Sequence, residues 1–159
     1  MDLNLSTDFI TKLHAGKTAG FSICYFKNKQ HAADAPPHFH IVISLGNGES
    51  VVLCMVTSQM AKLERLYCNM PGALDSLVPL DPSKLPFITR PCVINCNLPT
   101  PISYKEFANI IDHTVDIACK ATDTSIDNQL KSDILSAIYK SPIVSKRTKD
   151  MLRSVYPDY

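Results

Sequence analysis

The segment from Pro37 to Ser58 constrains the fold more than any other part of the chain. In Pro37-His38-Phe39-His40-Ile41-Val42-Ile43-Ser44, the side chains of Phe39, Ile41, Ile43 and Leu45 point one way and those of His38, His40, Val42 and Ser44 the other. Alternation with a period of two marks a strand, here with one face more polar than the other. The run Val51 to Val56 is apolar on both faces, as in a strand buried on both sides. Between them, Gly46 and Gly48 flank Asn47 and supply the positive-φ residues a tight hairpin needs. The segment therefore predicts the central hairpin of a small sheet or barrel.

The flanking sequence is read from this hairpin outward. Ser6-Thr7-Asp8 can cap a short N-terminal helix with Phe9, Ile10 and Leu13 on its apolar face and Gly16 as its stop. Phe21 to Phe26 alternates as a first strand, and a polar loop from Lys27 leads to Pro36 and Pro37. Gln59 to Tyr67 reads as a helical turn or an ordered loop, Leu74 to Leu80 as a short strand, and Pro91 to Leu98 as the last strand. Pro99 and Pro101 are expected to end the sheet. Ser103 and Glu106 form a capping box for a helix whose face runs Phe107, Ile110, Ile111, Thr114, Ile117 and Ala118. A second helix is expected from about Thr124 to Lys140, and a third from Ser145 through Val155. The expected class is α+β, in a single domain. Its residues 1–101 form an antiparallel β-barrel portion with the N-terminal helix, and 102–159 form a helical tail packed on it.

The 159 residues suffice for a real core, and a net charge of +1 gives no bulk attraction to nucleic acid. No stretch approaches the roughly 20 apolar residues of a membrane span. Met1-Asp2-Leu3-Asn4-Leu5 has no basic segment leading into an apolar one, so a cytoplasmic location is expected, with no membrane partner. The six cysteines are then expected as reduced thiols. Cys92 and Cys96 would lie about 13 Å apart along a strand, too far to share one metal ion, and read as core.

Chemistry concentrates at the hairpin. His38 and His40, two apart on a strand, share a face about 7 Å apart. Such a pair can be partly exposed strand residues without a role, an acid/base or phosphate-contacting pair, or two ligands of one metal ion. For metal, no third ligand and no H-E-x-x-H motif stands nearby. Thr57 and Ser58 sit where the buried strand emerges; their hydroxyls can hold a phosphate or simply end the strand. The one basic cluster is Lys140, Lys146, Arg147, Lys149 and Arg153, either a phosphate-binding surface or a solvated helix face. Nucleophile-elbow, P-loop and dinucleotide-binding motifs are absent.

The order of parts resembles the MazF/PemK toxin family over about residues 16 to 110. The likeness is carried by the strands Gly20–Phe26 and His38–Ser44, by the strand ending Val56-Thr57-Ser58, and by Pro91-Cys92-Val93-Ile94-Asn95-Cys96-Asn97-Leu98-Pro99-Thr100-Pro101-Ile102. The resemblance implies a small SH3-like, partly open barrel and metal-independent cleavage of RNA, with no cofactor. Thr57 matches the family's catalytic threonine, whereas His38 stands where the family has an arginine. On this reading His38, His40 and Thr57 are catalytic, and Ser58, Lys146, Arg147 and Lys149 contact RNA. An antitoxin-like protein and a second copy of the chain are the implied partners. Two other readings stand beside it: a non-catalytic module that binds protein or nucleic acid, and a metal site at His38 and His40.

Overall fold

The computed structural model describes residues 19–47, 49–115 and 117–158. The expected N-terminal helix and Gly48 lie outside them. The fold is α+β, with seven strands and four α-helices among the described residues. The strands are β1 (Gly20–Phe26), β2 (His38–Ser44), β3 (Ser50–Thr57), β4 (Leu77–Leu80), β5 (Cys92–Asn95), β6 (Thr100–Ser103) and β7 (Ala118–Ala121). The helices are α1 (Met60–Tyr67), α2 (Tyr104–Ile110), α3 (Asn128–Lys140) and α4 (Lys146–Arg153). Strand order is β4-β5-β3-β2-β1-β7, with β6 also on β3, so the sheet is open at both ends and does not close into a barrel. No described helix is long and apolar enough to cross a membrane.

The chain divides into two compact units. The first holds the described residues up to Leu53 together with Thr100–Ile126. Here β1 pairs antiparallel with β2 on one side, Phe26 facing His38, and with β7 on the other. At the hairpin turn Gly46 has φ 70°, where a side chain would be strained. Asn47 Oδ1 accepts from the backbone N–H of Glu49 (2.9 Å) and Ser50 (3.1 Å), the local bonding that suits asparagine to turns. The core gathers Cys24, Phe26, Val42, Val51 and Leu53 from the strands with Tyr104, Phe107, Ile110 and Ile111 from α2 and its end.

The second unit holds Cys54–Pro99 and the chain from Asp127 onward. It contains the end of β3, paired with β5, and β4 on the far side of β5. Leu63, Tyr67, Ala73, Leu77 and Val93 form one core cluster. The helix α3 buries Leu130, Ile134, Leu135 and Ile138. Ser76, in the 3-10 turn Leu74–Ser76, donates to the Ala137 carbonyl at 2.9 Å and ties that turn to α3.

Three elements differ from expectation. Pro99 and Pro101 do not end the sheet: Thr100–Ser103 pairs with Ser50–Leu53, and proline is tolerated because β6 is an edge strand. The helix opened by the capping box is real, with Glu106 N–H to Ser103 Oγ at 3.1 Å, but stops at Ile110. Beyond it Ile111 is extended and Asp112 accepts from Thr114 N–H (3.0 Å), a local bond that competes with the helical ladder. Ala118 then belongs to β7, not to that helix. Finally, the face of β2 expected to be polar is not open: His40, Val42 and Ser44 are all buried.

Candidate functional site

The first unit places three histidines together at the end of the β1–β2 pair. Because Cys24 faces His40 and Phe26 faces His38 across the ladder, the imidazole of His40 falls beside the ring of Phe26. The two rings stack at 4.0 Å with 14° between planes, and Phe26 in turn meets Phe107 edge-on at 5.5 Å. His40 is only 4 % exposed. Its Nδ1 is 3.1 Å from the His38 carbonyl, which can only accept, so Nδ1 carries a proton. Burial, reinforced by the nearby His38 and His31, takes its pKa down from 6.5 to about 3 against the opposing pull of that carbonyl.

His38 is half-buried at the rim, and its ring neighbour is one the sequence did not single out. His31, in the loop between β1 and β2, lies edge-on to His38 with ring centroids 6.0 Å apart and 79° between planes. Local bonds bring it there. Asn28 Oδ1 accepts from Gln30 N–H (2.8 Å), the Asn28 carbonyl accepts from His31 N–H (3.1 Å), and Lys27 Nζ reaches the Ala33 carbonyl (2.5 Å). The start of this loop is held from outside by Lys29 N–H to the Ile110 carbonyl (2.7 Å) and Asp112 N–H to the Lys27 carbonyl (2.9 Å). Hydrogen bonds from the Thr114 hydroxyl and N–H, with Lys27 and Lys29 nearby, hold the Asp112 carboxyl below the usual carboxylate range. The rim therefore presents two imidazoles, and the loop that holds His31 also carries exposed Lys29.

The remaining sequence-derived candidates sit in the second unit. Thr57 is buried, and its Oγ1 accepts from Gln59 N–H at 3.1 Å, so the hydroxyl finishes the strand. Ser58 is exposed. On α4, Lys146 is ion-paired with Asp150, and Lys149 Nζ donates to the Ser141 carbonyl at the end of α3 (2.7 Å). Arg153 lies over the Tyr139 ring at 4.6 Å. Arg147 is exposed. Among the described residues, no group of three His, Cys, Asp or Glu side chains is placed to hold a metal ion.

His31 carried no signal in its spacing, being seven residues from His38 across a loop. Imidazoles at this separation can engage one bound group directly or through a water, which is what acid/base chemistry on a single centre requires. No family model, curated protein or solved structure matches the chain.

Proposed function

We propose that the protein is a metal-independent endoribonuclease of the toxin type, diverged from the SH3-like pattern its sequence resembles, with His31 and His38 as its acid/base pair. The observation that carries this reading is the 6.0 Å imidazole pair at the rim of the first unit. One neutral imidazole takes the proton of the RNA 2′-hydroxyl as that oxygen attacks phosphorus. The other, protonated, gives its proton to the departing 5′-oxygen, leaving a cyclic phosphate. Lys29 supplies positive charge on the same loop. His40 takes no direct part: buried and neutral, it backs His38. In the second unit Ser58 and Arg147 are exposed, whereas Thr57, Lys146 and Lys149 already have intramolecular partners. A cytoplasmic location, an antitoxin-like protein partner and pairing with a second copy belong to the same reading.

Incubating the full chain with mixed RNA in EDTA tests it. His31→Ala and His38→Ala are each expected to lower cleavage by about 10²- to 10⁴-fold, the usual weight of a positioned acid or base. His40→Phe is expected to cleave near the wild-type rate at neutral pH. Cleavage that survives both rim substitutions sinks the assignment. A second reading, a module that binds RNA or protein without cutting, is favoured by the engagement of the Thr57 hydroxyl with Gln59. RNA retained intact at every pH would select it.

A further inference from the structure

Apart from the histidines, the chain arranges four of its cysteines in two facing pairs. Cys24 on β1 stands opposite Cys119 on β7, whose Sγ donates to the Ala121 carbonyl at 3.4 Å, and the charge of Cys119 acts on the Cys24 thiol. Cys54 likewise acts on Cys96, pushing its thiol up. The pairs differ in access. Cys54 and Cys96 are both buried, whereas Cys119 is exposed with Cys24 buried behind it. Directly opposed residues on antiparallel strands have Cα atoms about 4.5–5.5 Å apart, inside the range of roughly 4.4–6.8 Å that a disulfide spans. The register slips by one residue beside the pair, with Lys120 as the extra residue on β7. A bulge of this kind adds local twist and lets the strand adjust.

We propose that Cys119 and Cys24 form a thiol–disulfide exchange site that takes a small disulfide such as oxidised glutathione and becomes a cross-strand disulfide joining β7 to β1. The Cys119 thiolate attacks one glutathione sulfur, the S–S bond breaks, and one glutathione thiolate leaves and takes up a proton. Cys24 then gives its proton to solvent and attacks Cys119 Sγ, expelling the second glutathione as a thiolate that is protonated in turn. Two protein thiols are oxidised and one glutathione disulfide is reduced to two thiols. The order follows from access, since of the two Cys119 is exposed and Cys24 is buried. It also follows from charge. Burial and then Cys119 push the Cys24 thiol up, and the effect of Cys119 disappears once it is tied in the mixed disulfide.

Treatment of the native full chain with oxidised glutathione at mildly alkaline pH, then alkylation under denaturing conditions and peptide mapping by mass spectrometry, tests this. The expected main product at this pair is a Cys24–Cys119 linked peptide with no glutathione retained on either residue, while the buried Cys54 and Cys96 stay reduced. Cys24→Ala is expected to stop at a stable glutathione adduct on Cys119, and Cys119→Ser to leave Cys24 reduced over the same incubation. An adduct on wild-type Cys119 as persistent as in Cys24→Ala would overturn the proposal. So would an unreactive Cys119, a Cys24 that reacts in Cys119→Ser, or a Cys54–Cys96 link forming as fast as Cys24–Cys119.

Discussion

Acidifying the protein from pH 7 to pH 4 is expected to remove roughly 3 kcal/mol of folding stability through His40 alone, at about 1.4 kcal/mol per pH unit. The pKa of His40 is about 3 in the folded chain against the ordinary 6.5. Above pH 6.5 neither state holds the extra proton and the residue contributes no pH dependence. Between 6.5 and 3 the unfolded chain binds a proton that the folded chain refuses, so stability falls as pH falls. The cause is structural: the ring is sandwiched into the core on Phe26, and protonation would place a charge where water cannot reach it. His40→Phe keeps a ring on Phe26 and removes the proton site. The difference between wild type and His40→Phe in chemical denaturation, measured from pH 7 to 4, should therefore grow steadily in the variant's favour. The exposed Asp81 and Asp112 also titrate low, but both proteins share them. Parallel pH curves for the two proteins would contradict the buried, neutral His40.

Asn97→Ala is expected to cost about 2 kcal/mol, since it removes two buried hydrogen bonds at about 0.5–1.5 kcal/mol each, the Ala73 carbonyl keeping the Ser76 N–H and the Ser141 hydroxyl oxygen its two backbone donors. The Asn97 side chain is the hub of the second unit. Its Nδ2 donates to the Ala73 carbonyl at 2.8 Å and its Oδ1 accepts from Ser141 Oγ at 2.7 Å. Ser141 Oγ accepts from the N–H groups of Ile143 (3.2 Å) and Val144 (3.4 Å), fixing the turn between α3 and α4. The Asn97 N–H donates to Asn95 Oδ1, and Asn95 Nδ2 reaches the Tyr67 hydroxyl at 3.1 Å. One asparagine thus ties together the turn after α1, the end of β5 and the end of α3. Ser141→Ala should cost less, and the double variant less than the sum, because both substitutions remove the same bond. Denaturation midpoints at neutral pH measure all three. A change for Asn97→Ala within about 0.5 kcal/mol, the range of ordinary surface substitutions, would contradict the hub.

The sheet was legible where side-chain alternation or a cap wrote it into the chain. The hairpin from His38 to Thr57 and the capping box at Ser103 and Glu106 formed as read, because each rests on neighbours close in sequence. The strand β7 was not legible: Ala118-Cys119-Lys120-Ala121 has neither alternation nor β-branched residues, and only pairing with β1 makes it a strand. Nor could alternation tell which face of β2 is covered. His38 and His40 share a face, yet Phe26, itself packed on Phe107 of α2, stacks on a buried His40 while His38 stays half-exposed. His31 joined the candidate site only through the fold of its loop, for which the sequence offers no spacing rule.

The pH–rate profile of RNA cleavage in EDTA tests the His31–His38 pair most directly. A neutral base working with a protonated acid gives a bell-shaped profile. The wild type should show that bell, and His31→Ala and His38→Ala should each lose one limb of it along with most of the rate. A profile that neither substitution changes, cleavage that appears only when a divalent metal is restored, or no cleavage at any pH would contradict the pair as an acid/base catalyst.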